Sequence, residues 1–215
     1  MYVKYGALVA LAGKLQCFDL PMIVQAFGGH RPGIRVQLSR WIRQGKVIAL
    51  RRGMYTLPDL YRKVPVAPAV LSSALYRPSY LSGLWALSYH GLIPERVAWL
   101  TAVSPRVPRR FENPFGVFEY RSIKQELFFG YAAVPYGGQE ILVADSAKAL
   151  LDHWHLTPGE WTVDRLAEMR YQNVGEVSAV TLRAYCSRFD SPRLSRAVER
   201  WTALAVGSEE GTEQL

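Results

Sequence analysis

The stretch at residues 28–57, GGHRPGIRVQLSRWIRQGKVIALRRGMYTL, constrains the fold of this chain more than any other. Gly28-Gly29 breaks whatever precedes it. Pro32 suits the first turn of a helix, where its missing N–H would have gone unpaired in any case. A helix is predicted over 32–44, stopping at Gly45. At about 100° per residue, Ile34, Leu38, Trp41 and Ile42 share one side, while Val36, Ser39, Arg40 and Arg43 fall opposite, with Arg35 at the margin. One side is core and the other is offered outward. After Gly45, Val47-Ile48-Ala49-Leu50 has strand composition, and Met54-Tyr55-Thr56-Leu57 returns after a tight turn at Arg51-Arg52-Gly53. Upstream, Asp19 is placed to cap a preceding helix with Pro21 in its first turn and Met22, Ile23, Ala26 and Phe27 toward the core.

Helix, turn, helix and hairpin in this order make a winged helix-turn-helix, whose second helix enters a DNA major groove. Its candidate DNA-binding side chains are Arg31, Arg35, Ser39, Arg40 and Arg43. Arg51 and Arg52 at the wing are expected on backbone phosphate or in a minor groove. His30, in the turn, reads as a solvated loop residue.

The distribution of charge points the same way. Of the net +8, residues 1–63 hold eleven Lys and Arg against two acidic residues, a net of +9. The other fifteen basic and sixteen acidic residues leave −1. A polyanion is the natural partner of the first third, because each neutralised phosphate releases counterions. A membrane-surface helix would need a broad apolar face free for lipid, and here the fold uses that face. At 49% apolar and 20% charged residues the chain is globular, and 215 residues suffice for two modest cores. No run reaches the roughly 18 apolar residues of a membrane span. Segment 5–15, a predicted first helix, lacks the apolar run and cleavage site of a signal peptide. Cys17 and Cys186 lie far apart, with no Cys or His partner at metal-ligand spacing. A cytoplasmic protein without disulfides is expected.

The predicted class is α+β, with a winged helix-turn-helix at 1–63, a mixed α/β domain at 64–206 and an acidic, disordered tail at 207–215. Segment 58–68, with three prolines and a basic pair, reads as a linker. Helices are expected at 68–76 and 79–89, the second capped by Ser79, and strands at 98–103, 116–122, 127–131 and 139–144. Asp145 caps a helix at 146–156, and helices follow at 161–171, 177–189 and 192–205. Trp85, Tyr89 and His90 are assigned to the second core.

Signs of catalysis are few. There is no Gly-x-Ser-x-Gly nucleophile turn and no GxxxxGK[ST] phosphate loop. His153 and His155, two apart on a helix, point to different sides, against a shared metal. Asp145, Lys148 and Asp152 resemble the acid and lysine set of a nuclease. Their spacing instead gives an N-cap and a helix-surface ion pair. Arg106, Arg109 and Arg110, set among prolines, read as a solvated cluster or an extension of a nucleic-acid footprint. The expectation is a non-enzyme with no cofactor and no metal.

Four segments together carry a family resemblance. LRRGMYTLPDLY runs through the hairpin, RPSYLSGLWALSYHGLIPE covers 77–95, FFGY covers 128–131, and VADSAKALLD covers 143–152. In this order they resemble the AbiEi family of antitoxins and transcriptional regulators, over about residues 18–205. Many members have Glu where this chain has Ala147. The resemblance implies a winged helix that binds repeats at its own promoter as a repressor; a homodimer on the DNA is an expected form of this binding. It also implies a C-terminal domain that opposes a nucleotidyltransferase-like toxin in a type IV toxin–antitoxin system, without a stable complex being required. The alternative is a solitary winged-helix regulator whose second domain binds an effector or dimerises.

Overall fold

A computed structural model describes residues 2–210, with side chains through residue 205. It is a mixed α/β chain in two compact units. The first runs to Arg77 and includes Phe111–Val117; the second is Pro78–Arg110 with the chain from Phe118 on.

In the first unit, α1 (Tyr5–Ala12) is followed by β1 (Phe18–Asp19), α2 (Leu20–Phe27), α3 (Arg31–Arg43), β2 (Ile48–Arg51), β3 (Met54–Thr56) and α4 (Pro68–Leu75). The three strands form an antiparallel sheet in the order β1-β3-β2. Asp19 starts α2 as expected, its carboxylate accepting the Met22 N–H at 2.9 Å. Gly28 and Gly29 both have positive φ, which only glycine adopts without strain, and this separates α2 from α3. The core gathers Leu8 and Ala12 from α1, Ile23 from α2, Ile34, Leu38 and Trp41 from α3, and Val47, Tyr55 and Leu57 from the hairpin. Of the expected core face of α2, Ala26 is instead exposed.

The expected linker and the boundary at residue 63 are corrected. Lys63 N–H donates to the Gly13 carbonyl at 2.7 Å, and Ala67 N–H to the Gln16 side chain at 2.9 Å. Arg51 Nε donates to the Leu75 carbonyl at 2.6 Å. Leu71 and Leu75 of α4 are both fully buried. Proline content marked a chain without regular hydrogen bonding, but the segment's backbone groups find partners in this same unit. Phe111–Val117 joins them: Asn113 donates to the Leu50 carbonyl at 3.3 Å, and the Phe111 and Tyr76 rings lie 6.3 Å apart.

The second unit is built on β4 (Tyr80–Leu81), α5 (Gly83–Tyr89), β5 (Leu100–Ser104), β6 (Arg109–Asn113), β7 (Gly116–Ser122), β8 (Tyr131–Tyr136) and β9 (Gln139–Ala144), then α6 (Ser146–Leu156), α7 (Val163–Glu168), α8 (Ala179–Ser187) and α9 (Pro192–Glu210). The sheet order is β6-β7-β5-β4-β9-β8, with the tip of the β6–β7 hairpin counted in the first unit. β4 pairs antiparallel with β5 and parallel with β9; β5 pairs parallel with β7. Strand β7 and helix α6 match their predicted bounds, as does β9, which lies inside the sheet.

Other expectations shift. No helix starts at Ser79: Tyr80 and Leu81, both 1% exposed, form the short strand β4, and the helix begins only at Gly83. Residues 125–127 form a single 3-10 turn and the strand starts at Tyr131, so the predicted strand at 127–131 is displaced. The helix expected at 161–171 is only α7. The acidic residues to Glu210 continue α9, where a disordered tail was expected, and 211–215 fall outside the described residues. No described helix is long and apolar enough to cross a membrane.

Candidate nucleic-acid interface

Helix α3 is held from within. Ile34, Leu38 and Trp41 are buried, and so is Gln37, whose amide side chain accepts from the Val3 N–H and donates to the Val3 carbonyl. Gln37 was not anticipated; its polarity hid a core position that the i, i+3, i+4, i+7 spacing from Ile34 would have revealed. With that face fixed, Arg31, Arg35, Ser39, Arg40 and Arg43 are all exposed, and Val36 is 54% exposed beside them. None of the four arginines has an ion-pair partner among the described residues. His30, at the N-cap position, makes no side-chain cap bond, so its side chain leaves the first-turn N–H groups of α3 unclaimed.

The hairpin separates its two arginines. Gly53, at φ +81°, makes the turn, and the strand register shifts between Ala49 and Arg51. Arg51 is half-buried, donating from Nε to Leu75 and from Nη1 to the Arg52 carbonyl at 3.0 Å. Arg52 is exposed. Of the two predicted wing contacts, Arg51 is thus occupied in anchoring the hairpin to α4, and Arg52 is the outward cation.

Charge follows the units. The first, with its Phe111–Val117 tip, has twelve Lys and Arg against three Asp and Glu, a net of +9; the second has fourteen against fifteen, −1.

The nuclease-like set of Asp145, Lys148 and Asp152 lies elsewhere, in the second unit. Asp145 is the N-cap of α6, accepting the Lys148 N–H at 2.8 Å and the Tyr185 hydroxyl at 3.0 Å. Lys148 and Asp152 form an ion pair, but it is not on the helix surface: both side chains are fully buried. Asp152 also accepts the hydroxyls of Tyr80 at 2.9 Å and Ser82 at 2.7 Å. The Lys148 ammonium lies 5.0 Å from the Phe129 ring centroid and 5.5 Å from that of Tyr80. Burial pushes the Asp152 carboxyl up and the Lys148 ammonium down, each toward its neutral form, against their mutual attraction. Three of the four resembling segments therefore meet at one buried polar knot, with Tyr131 of the FFGY segment stacked on Tyr80 at 4.5 Å. In the same unit, His90 bonds the Ala144 carbonyl at 2.8 Å, whereas Tyr89, expected in the core, is 40% exposed. Among the described residues no group of three or more His, Cys, Asp or Glu is placed to hold a metal ion.

No protein-family model matches this chain, and no curated protein matches it.

Proposed function

We propose that this chain is a DNA-binding repressor whose first unit is a winged helix-turn-helix, and that its second unit opposes a nucleotidyltransferase-like toxin. The observation that carries the first half is the outward face of α3, with four exposed arginines lacking ion-pair partners in a unit of net charge +9. In a major groove, Arg40 or Arg43 reads a guanine edge, and Val36 offers an apolar contact of the kind made to a thymine methyl. Arg31 and the uncapped first turn of α3 meet backbone phosphate. Arg52 does the same from the wing. The second half rests on the resemblance of the four segments to AbiEi antitoxins, and a cytoplasmic site of action goes with both.

The test is fluorescence anisotropy of the full chain on DNA from upstream of its own gene and on a shuffled duplex of equal length. Arg40→Ala with Arg43→Ala should lose about 1–3 kcal/mol per base contact on the cognate duplex and much less on the shuffled one. Equal affinity of the parent for both duplexes at every salt concentration would reduce the reading to non-specific polyanion binding.

A further inference from the structure

The second unit contains an open cavity of about 460 Å³, lined from α5, β5, β7, the C-terminal half of α6 and the segment before β5. Its inner polar groups are already engaged. The Thr101 hydroxyl donates to the Ser82 carbonyl at 2.6 Å, the Ser82 hydroxyl donates to Asp152, and Asp152 is held by three donors. What faces a guest is chiefly apolar: Leu84, Ala98, Val103 and Leu156. His153 in the wall adds no charge near neutral pH, because burial pushes its pKa down to about 4.

A second depression of about 470 Å³ shares Trp99, Glu119 and Arg121 with the first and adds Arg109 and Arg110. All three arginines are exposed. Arg121 is partly neutralised by Glu119 at 3.1 Å, and the Arg110 guanidinium lies 5.8 Å from the Trp99 ring centroid. Three arginines and one glutamate line this depression, in a unit whose net charge is −1. Trp99, 54% exposed, stands on the border between the apolar chamber and this cationic shelf. Each volume lies within the roughly 300–1,000 Å³ range of small-molecule sites.

We propose that the second unit carries a binding site for a small amphiphilic anion, with a flat aromatic body in the apolar chamber and its phosphate or carboxylate on Arg109 and Arg110. The chamber excludes charge because its own polar groups are paired, and the shelf supplies guanidinium donors suited to an oxyanion. Trp99 stacks on the ring edge where the two regions meet. This site is independent of the DNA-binding reading, since none of its residues lies in the first unit.

The full chain is titrated with 1-anilinonaphthalene-8-sulfonate, an aromatic anion, and with N-phenyl-1-naphthylamine, its uncharged counterpart. Saturable one-to-one binding of the anion is expected, with the neutral probe weaker. Arg109→Ala with Arg110→Ala should weaken the anion at least fivefold and leave the neutral probe within twofold. Ala98→Phe, filling the chamber from an exposed position, should weaken both at least tenfold; Val97→Phe replaces it if that variant does not fold. Displacement of the anion by nucleoside monophosphates would assign the natural ligand to phosphates, and displacement by indole-3-acetate or salicylate to carboxylates. If neither class displaces it at millimolar concentration, or if the arginine and chamber variants bind both probes like the parent, the site is not there.

Discussion

Lys148 and Asp152 show how strongly a single residue's setting decides its energetics. As an i, i+4 pair on a helix surface they would contribute a few tenths of a kcal/mol. Fully buried, with Tyr80 and Ser82 also donating to Asp152, each keeps the other from being an unpaired charge in the core. Lys148→Met is therefore expected to cost about 3–5 kcal/mol, and Lys148→Met with Asp152→Asn to recover part of that loss. Urea denaturation of the two variants and Asp152→Asn closes the cycle; a loss below about 1 kcal/mol for Lys148→Met would mean the charge is not buried as described. His153 gives a pH dependence. Its folded pKa, pushed down to about 4 by burial and then by the Arg165 charge, lies below the ordinary 6.5. Between these values the unfolded chain binds more protons, so stability is greatest above pH 6.5 and falls as pH drops toward 4, by on the order of 3 kcal/mol for a fully realised shift. His155, pushed down mainly by burial, adds in the same direction. Glu160, held down to about 2 by Arg196 and Arg200, acts only at lower pH, between its ordinary 4.5 and that value. Denaturation at pH 7.5 and 5 should show a smaller difference for His153→Gln than for the parent; identical differences would exclude an abnormal imidazole.

At the scale of elements, the hairpin separates two adjacent arginines into an anchor and an exposed cation. Arg51→Ala removes a bond to a carbonyl of α4 and should lower stability by about 1–2 kcal/mol. Arg52→Ala should leave stability within about 0.5 kcal/mol but reduce the log K against log[salt] slope on DNA by about 0.9. Thermal melts and salt titrations on both variants check this, and a larger slope change for Arg51→Ala would reverse the assignment. Sequence alone could not separate them, because the distinction depends on Leu75, twenty-four residues away. The outward and inward faces of α3 were legible, since 3.6-residue periodicity is local, and Asp19 and Asp145 declared their helix starts by spacing alone. β4 was not legible. Three buried residues, Tyr80, Leu81 and Ser82, precede Gly83 and look like the first turn of the following helix, and only pairing with β5 and β9 makes the first two a strand. The domain boundary failed for a related reason: prolines at 58, 65 and 68 signal irregular backbone without saying which unit satisfies its hydrogen bonds.

For the whole molecule, the partition of charge into +9 and −1 between two compact units leads to a separation of functions. If repression resides in the first unit and toxin opposition in the second, each can be removed alone. Arg40→Ala with Arg43→Ala changes two exposed side chains without ion-pair partners among the described residues, so stability should move by no more than about 0.5 kcal/mol per site. That variant should derepress a reporter fused to its own promoter yet still protect cells expressing a neighbouring nucleotidyltransferase-like toxin. Leu87→Asp places an unpaired carboxylate at a fully buried position of the second unit. It should abolish protection while the first unit keeps its affinity for DNA. Reporter output and survival are measured on both variants at matched protein levels, with the toxin under separate control. Loss of protection by the arginine variant, still folded and abundant, would make DNA binding itself the route to immunity and end the two-unit account.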